Sequence, residues 1–137
     1  MTTPLRVEDA APVTTTAEAR DRVADLVGHA ISHQLWFMLL DARGRQIPLL
    51  IPVGGIPLRP EPGGAAAMAA AVTELLDEHG PGGSVILTLE RPGTAALTAP
   101  DQAWARELAA SFGKLMRITG IFVAHDEGVC ELVAPIG

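Results

Sequence analysis

The sequence predicts an α/β (α+β) domain in which three helices flank a mixed sheet of about five strands, in the order α-β-β-α-β-α-β-β. Three observations predict this fold class. Apolar residues recur at helical spacing in three separate segments. Five short segments are rich in β-favouring residues and end at Gly, Pro or Asp. Because helices alternate with strands, we expect the helices to pack on the faces of one sheet.

The first predicted helix covers residues 14–33. Thr15 and Glu18 have the spacing of a capping box at its start. Its apolar stripe follows helical spacing and consists of Val23, Leu26, Val27, Ala30 and Ile31. Residues 1–13 contain two prolines and are predicted to form a flexible N-terminal arm, so that residues 14–137 make up a single domain.

His29 and His33 lie four residues apart in the first predicted helix. This spacing places two histidines on one helical face, as in the zinc motif His-Glu-x-x-His, but Ala30 stands where that motif has its general base. A zinc site needs three or four ligands, and the sequence offers no obvious third one nearby. We therefore interpret the pair as histidines at a helix end and predict no metal.

A hairpin is predicted next, with strands over residues 35–40 and 46–53. The turn sequence Asp-Ala-Arg-Gly joins them, since Asp and Gly favour tight turns. Pro48 and Pro52 cannot donate hydrogen bonds to a neighbouring strand. They place the second strand at a sheet edge or in a bulge.

The second helix is predicted over residues 65–80, with Gly80 as its C-cap candidate. Its first half is nearly all Ala and Met, so we expect it to pack closely against a neighbour. A third strand over residues 83–90 is apolar at consecutive positions, which indicates a central strand covered on both faces. Glu90 is expected to be a solvated charge at its end. The Gly-Pro-Gly-Gly stretch at residues 80–83 matches no phosphate-binding motif and is interpreted as a loop.

The third helix is predicted over residues 98–116. Thr98 suits its N-cap, Pro100 its first turn and Asp101 the capping-box position. Its core face follows helical spacing and consists of Trp104, Leu108, Phe112 and Leu115. A second hairpin, over residues 117–135, turns at Asp-Glu-Gly and closes the chain.

The chain carries a net charge of −6, and Lys114 is its only lysine. Because no Lys/Arg cluster exists, binding to nucleic acid or to an anionic membrane is not expected. Cys130 is the sole cysteine, which favours a reducing compartment, and we interpret it as a small buried hydrophobe. The N-terminus lacks the apolar core of a signal peptide, and the longest apolar runs are too short to span a bilayer. We therefore predict a cytoplasmic protein.

The order of elements is accompanied by three recognisable stretches, "WFMLLDARGRQI", "GGSVILTLERPG" and "LAASFGKLMRITGIFVAHDEGV". Together they resemble the JAB/MPN (JAMM) domain, and its RadC-like branch in particular, over residues 18–133. The resemblance implies the JAB/MPN (cytidine deaminase-like) architecture. Catalytic members carry His-x-His-Pro-Ser-Gly at the end of the third strand, Ser-x-x-Asp at the start of the next helix and a Glu in the first hairpin. There, the two His and the Asp hold zinc, and the Glu handles the proton of the zinc-bound water.

The metal site that the resemblance implies is mostly absent from this sequence. The two His positions fall on Leu89 and Arg91, whereas Thr98 and Asp101 keep the Ser-x-x-Asp spacing. A leucine cannot bind zinc, and an arginine repels a dication. We expect Asp101 to cap the third helix or to pair with Arg91, so that these four residues form a vestigial or anion-binding site.

The Glu position falls on Leu49 or Leu50, so the base of the family's reaction is absent as well. The resemblance therefore implies the fold, and the substitutions argue against zinc hydrolysis. We expect no enzyme and no cofactor. The first hypothesis is a protein-interaction or assembly module that forms a homo-oligomer or binds a protein partner through its apolar strands, proline-bearing edge and Ala-rich helix. The alternative is a small-molecule or anion-binding domain that reuses the cleft through Arg91.

Overall fold

A computed structural model describes residues 12–27 and 30–132 of the chain. The element order is the predicted α-β-β-α-β-α-β-β, with a five-stranded mixed sheet and three helices, so the predicted fold class is confirmed. The elements are α1 (Thr16–Leu26), β1 (Gln34–Leu40), β2 (Gln46–Gly54), α2 (Gly64–His79), β3 (Ser84–Glu90), α3 (Ala99–Gly113), β4 (Arg117–His125) and β5 (Gly128–Glu131). No helix in the described ranges has the length and apolarity needed to cross a bilayer.

The sheet has the strand order β2-β1-β3-β4-β5. β3 lies at its centre, antiparallel to β1 and parallel to β4, and the two outer pairs are antiparallel. Every residue of β3 is buried, as predicted for a central strand. The carboxyl ends of β3 and β4 therefore meet at one end of the sheet, and their amino ends meet at the other.

Helices cover both faces of the sheet. α2 and α3 share the larger hydrophobic core with Leu35, Leu87 and Val123. α1 covers the opposite face, where a smaller core contains Val23 and Phe122. Successive side chains of a strand point to opposite faces, so each inner strand contributes to both cores. The domain thus consists of three layers with the sheet in the middle.

β2 is an edge strand, as its prolines predict. Pro52 pairs with Trp36 of β1, and the register slips between Met38 and Leu40, opposite the part of β2 that contains Pro48. A strand tolerates proline at a sheet edge or at an irregularity in the pairing, and β2 has both. The pairing of β2 with β1 is therefore irregular, although β2 itself runs without a break from Gln46 to Gly54.

α1 ends seven residues earlier than predicted, at Leu26 rather than at position 33. The backbone N–H groups of Ile31 and Ser32 donate to the Glu90 carboxylate at 2.8 Å, so they cannot continue the helical hydrogen-bond pattern. The predicted apolar stripe is correspondingly wrong at Leu26, which is 42% exposed, and at Ile31, which is 82% exposed. The chain instead reaches β1 through a short bound segment.

The predicted helical pair of histidines is also wrong. His33 lies just before β1 and outside any helix. His29 falls outside the described residues. The four-residue spacing therefore does not place the two imidazoles on one helical face.

The remaining boundaries agree closely with the sequence. Gly80 is the C-cap of α2, and Thr98 is the N-cap of α3. Leu115 was placed on the core face of α3, but it lies beyond the end of that helix and is 51% exposed. Val13 was assigned to the flexible arm, but it is buried, and its N–H donates to the Gly44 carbonyl at 2.7 Å.

Candidate functional site

A cleft of about 430 Å³ opens at the carboxyl end of β3. All four predicted site residues line it, because Leu89 and Arg91 lie at the end of β3 and Thr98 and Asp101 lie at the start of α3. The other lining residues are His33, Leu58, Pro92 and Pro100. The structure thus brings the predicted residues together in one place.

Arg91 and Asp101 form an ion pair at the base of this cleft. Arg91 Nη2 lies 2.8 Å from Asp101 Oδ2, and Arg91 Nε lies 3.1 Å from Oδ1. The exposed fractions of the two side chains are 11% and 3%. Two parallel N–H···O bonds to one carboxylate are the strongest geometry that an arginine offers. Pairing with Arg91 was one of the two roles expected for Asp101.

The remaining donors of Arg91 bind the loop between β3 and α3. Nη1 donates to the Thr94 carbonyl at 2.6 Å, and Nη2 donates to the Ala96 carbonyl at 3.0 Å. With the bonds to Asp101, four of the five guanidinium N–H groups are engaged. Arg91 therefore holds the loop and the start of α3 against the end of β3.

Asp101 also fulfils its second expected role, as part of the cap of α3. Its Oδ2 accepts from the Thr98 N–H at 2.9 Å, and its own N–H donates to Thr98 Oγ1 at 3.2 Å. This reciprocal pair is the capping box that the sequence predicts. Burial alone raises the pKa of Asp101, but the hydrogen bonds from Arg91 and Thr98 and the charge of Arg91 hold it below its usual range.

The residues of the cleft do not fit a zinc ion. Leu89 is 1% exposed and packs in the larger core without a donor atom. Arg91 brings a positive charge to the place of the second ligand, and the lone pairs of Asp101 are engaged by Arg91 and Thr98. Within the described ranges, no group of three or more His, Cys, Asp or Glu residues is arranged to hold a metal.

Leu49 and Leu50, the two candidates for the family's Glu position, both lie in β2 and are partly buried. Leu49 packs against the core of α2 and α3, and Leu50 packs against the core of α1. Neither lines the cleft. Neither position therefore brings a carboxylate to the cleft.

Glu90 is the polar residue that sequence reasoning placed wrongly. It was expected to be a solvated charge, but it is 1% exposed. Its carboxylate accepts from the N–H groups of Ile31 and Ser32, from Gln34 Nε2 at 2.9 Å and from Trp36 Nε1 at 2.7 Å. Gln34 lies opposite Glu90 in the sheet, and this register is known from the structure and not from the sequence.

Each oxygen of the Glu90 carboxylate accepts two hydrogen bonds. Burial raises the pKa of Glu90, but the four hydrogen bonds, led by that from Trp36, outweigh burial and hold the pKa below its ordinary value. A buried carboxylate with a donor for each lone pair is inert as an acid or base near neutral pH. Its role is to fasten residues 31–32 to the sheet.

Cys130 was expected to be a small buried hydrophobe, but it is only partly buried and packs against the larger core. Its Sγ lies 4.0 Å from the Ala95 carbonyl, in the loop that Arg91 organises. Burial raises the pKa of its thiol, Arg91 lowers it and Asp101 raises it, and the net direction is upward. The thiolate form is therefore suppressed, which argues against a nucleophilic role.

No family model, no curated protein and no solved structure matches this chain. The JAB/MPN resemblance therefore stays a prediction, carried by the order of elements and by the residues at the end of β3.

Proposed function

We propose that this chain is a non-catalytic JAB/MPN-like domain of the RadC-like type, and that it serves as a protein-interaction or assembly module in the cytoplasm. One observation supports the proposal: Arg91 and Asp101, which the resemblance aligns with two of the family's metal ligands, form a buried ion pair. A site closed by a guanidinium and a leucine has no open coordination position for water. What the domain keeps is a three-layered fold with several exposed apolar side chains.

The surface best suited to a second copy of the chain lies on the β2 side of the sheet. α2 exposes a row of small side chains at Ala66, Ala67, Ala70 and Ala71. Small residues let a second helix approach closely. The edge of β2 beside it is rich in Leu, Ile and Val, but Pro48 and Pro52 lack the N–H groups that strand addition needs. We therefore place the contact on side chains of α2 and β2 rather than on a shared sheet.

Sedimentation velocity at about 50 µM tests self-association, since even weak interfaces are populated at that concentration. We expect a dimer, and we expect Ala70→Glu to shift it towards monomer by placing a charge in the interface. Ala110→Glu, at an exposed position of α3, is the matched control and should leave the dimer intact. A strict monomer for the unaltered chain would overturn the self-association proposal.

Metal analysis tests the non-catalytic part separately. Protein purified in the presence of zinc should hold far less than one equivalent, because only one of the family's three ligand positions carries a donor. Stoichiometric zinc that is lost in Asp101→Asn would overturn this part of the proposal and leave the interaction surface unaffected.

Anion binding through Arg91 stays the alternative proposal. In its favour, Arg91 lies in the cleft beside the amino end of α3. Against it, an anion must compete with Asp101 for the guanidinium, since a single Nη1 proton remains outside the bonds of this site. The alternative predicts anion-dependent thermal stabilisation that disappears in Arg91→Ala, and an absence of any such stabilisation would refute it.

A further inference from the structure

A second cleft, of about 390 Å³, lies at the opposite end of the sheet, where β3 and β4 begin. It is bounded by residues 13–16, by the turn 41–44 between β1 and β2, by residues 82–84 and by the start of β4. We propose that this cleft binds the phosphate group of a small soluble molecule, held by Arg43 and Arg117. The volume falls in the range of about 300–1,000 Å³ that is usual for small-molecule sites.

The charges that line the cleft favour an anion. Arg43 and Arg117 are both exposed, and neither makes an ion pair with any residue in the described part of the chain. Asp41 is the one carboxylate in the lining, and its Oδ1 already accepts the N–H groups of Arg43 and Arg45 at 2.9 and 3.0 Å. The lining of this one cleft therefore carries two guanidinium groups and a single carboxylate. Guanidinium groups match phosphate oxygens in geometry and charge.

Two hydroxyl groups in the lining of the same cleft supply a further donor. Ser84 Oγ and Thr119 Oγ1 both line the cleft and lie 2.6 Å apart, so they share one hydrogen bond. Two hydroxyls carry two protons, and one proton therefore remains to donate to a ligand. The amino end of α1 contributes little to the site, because Thr15 and Glu18 already cap it. The proposal therefore rests on side chains and not on a helix dipole.

The walls of the cleft are fixed by close backbone contacts. A Cβ on Gly44 would collide with the Val13 carbonyl, and a Cβ on Gly83 would collide with the Leu40 carbonyl. The Gly-Pro-Gly-Gly stretch at residues 80–83 thus has a positional role that its sequence alone does not reveal.

This cleft and the cleft of Arg91 differ in one decisive respect. Arg91 is buried and bound to Asp101, whereas Arg43 and Arg117 are exposed and carry no counter-charge within the described ranges. We therefore expect an anion to bind at the amino ends of β3 and β4 rather than at Arg91. The two ends of the sheet give distinguishable outcomes in one experiment.

The proposal is tested by titrating the protein with inorganic phosphate, pyrophosphate or AMP at constant ionic strength. Binding is monitored through the amide chemical shifts in NMR spectra. We expect saturable shifts at Gly82 and Ser84 with Kd values of about 1 mM or below. Arg43→Gln and Arg117→Gln should each weaken binding about tenfold, as loss of a charge-assisted hydrogen bond predicts. Arg106→Gln, an exposed arginine on α3, makes the same charge change and should leave binding unaltered.

Three outcomes would overturn the proposal. The first is the absence of any saturable chemical-shift change up to about 20 mM phosphate. The second is an equal loss of affinity in Arg106→Gln. The third is a set of chemical-shift changes confined to Arg91 and Thr98, at the other end of the sheet. Vesicles that contain phosphatidic acid separate a soluble ligand from a lipid headgroup, and the protein should stay in the supernatant. Thermal melts establish that each variant is folded before it is titrated.

Discussion

Arg91 and Asp101 lie 2.8 Å apart, Nη2 to Oδ2, between the end of β3 and the first turn of α3, and both are nearly shielded from solvent. Removal of one partner leaves a buried charge without compensation, which costs about 3 kcal/mol. Arg91→Met should therefore lower the free energy of unfolding by about 3 kcal/mol in urea titrations. Arg106→Met, at an exposed position on α3, is the control and should stay within about 0.5 kcal/mol of the parent.

The double variant Arg91→Met/Asp101→Asn separates the ion pair from the packing of Arg91. An amide at position 101 carries no charge, so the double variant should recover part of the loss of the single variant. A loss of under about 1 kcal/mol in Arg91→Met would show that solvent reaches Asp101 and that the pair contributes little.

Stability should depend on pH through the two buried carboxylates. The pKa values of Glu90 and Asp101 are lowered in the folded protein, so the unfolded chain binds more protons than the folded one below about pH 5. Their contribution is fully present above the unfolded pKa values, near pH 4, and is lost as the pH falls through the lowered folded values. Urea unfolding from pH 7 to pH 3 should show a plateau and then a decline. A flat profile to pH 3 would contradict the proposed charge state of both groups.

Glu90→Gln should loosen the segment before β1. A glutamine has one carbonyl oxygen, so its amide would face donors such as Trp36 Nε1, and at least one buried donor would lose its acceptor, at a cost of about 2 kcal/mol. We expect faster hydrogen exchange at Ile31 and Ser32 and an altered Trp36 fluorescence maximum. Glu107→Gln, on the exposed side of α3, should change neither signal. Unaltered exchange at both amides would contradict the anchoring role of Glu90.

Cys130 should react slowly with alkylating agents. The raised pKa of its thiol leaves little thiolate at pH 7.5, and partial burial restricts access. We expect iodoacetamide to modify the folded protein more slowly than the same chain unfolded in urea, and we expect the rate of the folded protein to level off at a higher pH than that of the unfolded chain. Equal rates in the two states would show that the thiol is neither shielded nor shifted.

The elements that the sequence predicts best are those whose signals are local. Thr98, Pro100 and Asp101 determine the start of α3 within four consecutive residues, and the structure places the helix there. The continuous apolar run of β3 required coverage on both faces, and both faces are covered. The prolines of β2 likewise located a sheet edge without reference to any distant residue.

The errors arise where a distant side chain decides the backbone. Periodicity extends α1 through Ile31, but Glu90 captures the N–H groups of Ile31 and Ser32 from 59 and 58 positions away. No pattern within the first 33 residues indicates that Glu90 accepts these two hydrogen bonds. For the same reason Glu90 itself was misplaced, since its burial depends on a register in which Gln34 faces it. The pair of Arg91 and Asp101 was anticipated because the resemblance aligns both residues with one metal site.

The ion pair also constrains how a lineage that carries this sequence can change. Replacement of Arg91 by His would remove the bidentate partner of the buried Asp101 carboxylate. Leu89 would still offer no atom that can bind a metal. Loss of either partner of the ion pair alone is therefore expected to destabilise the protein. We therefore expect substitutions of Arg91 and Asp101 to occur together rather than singly.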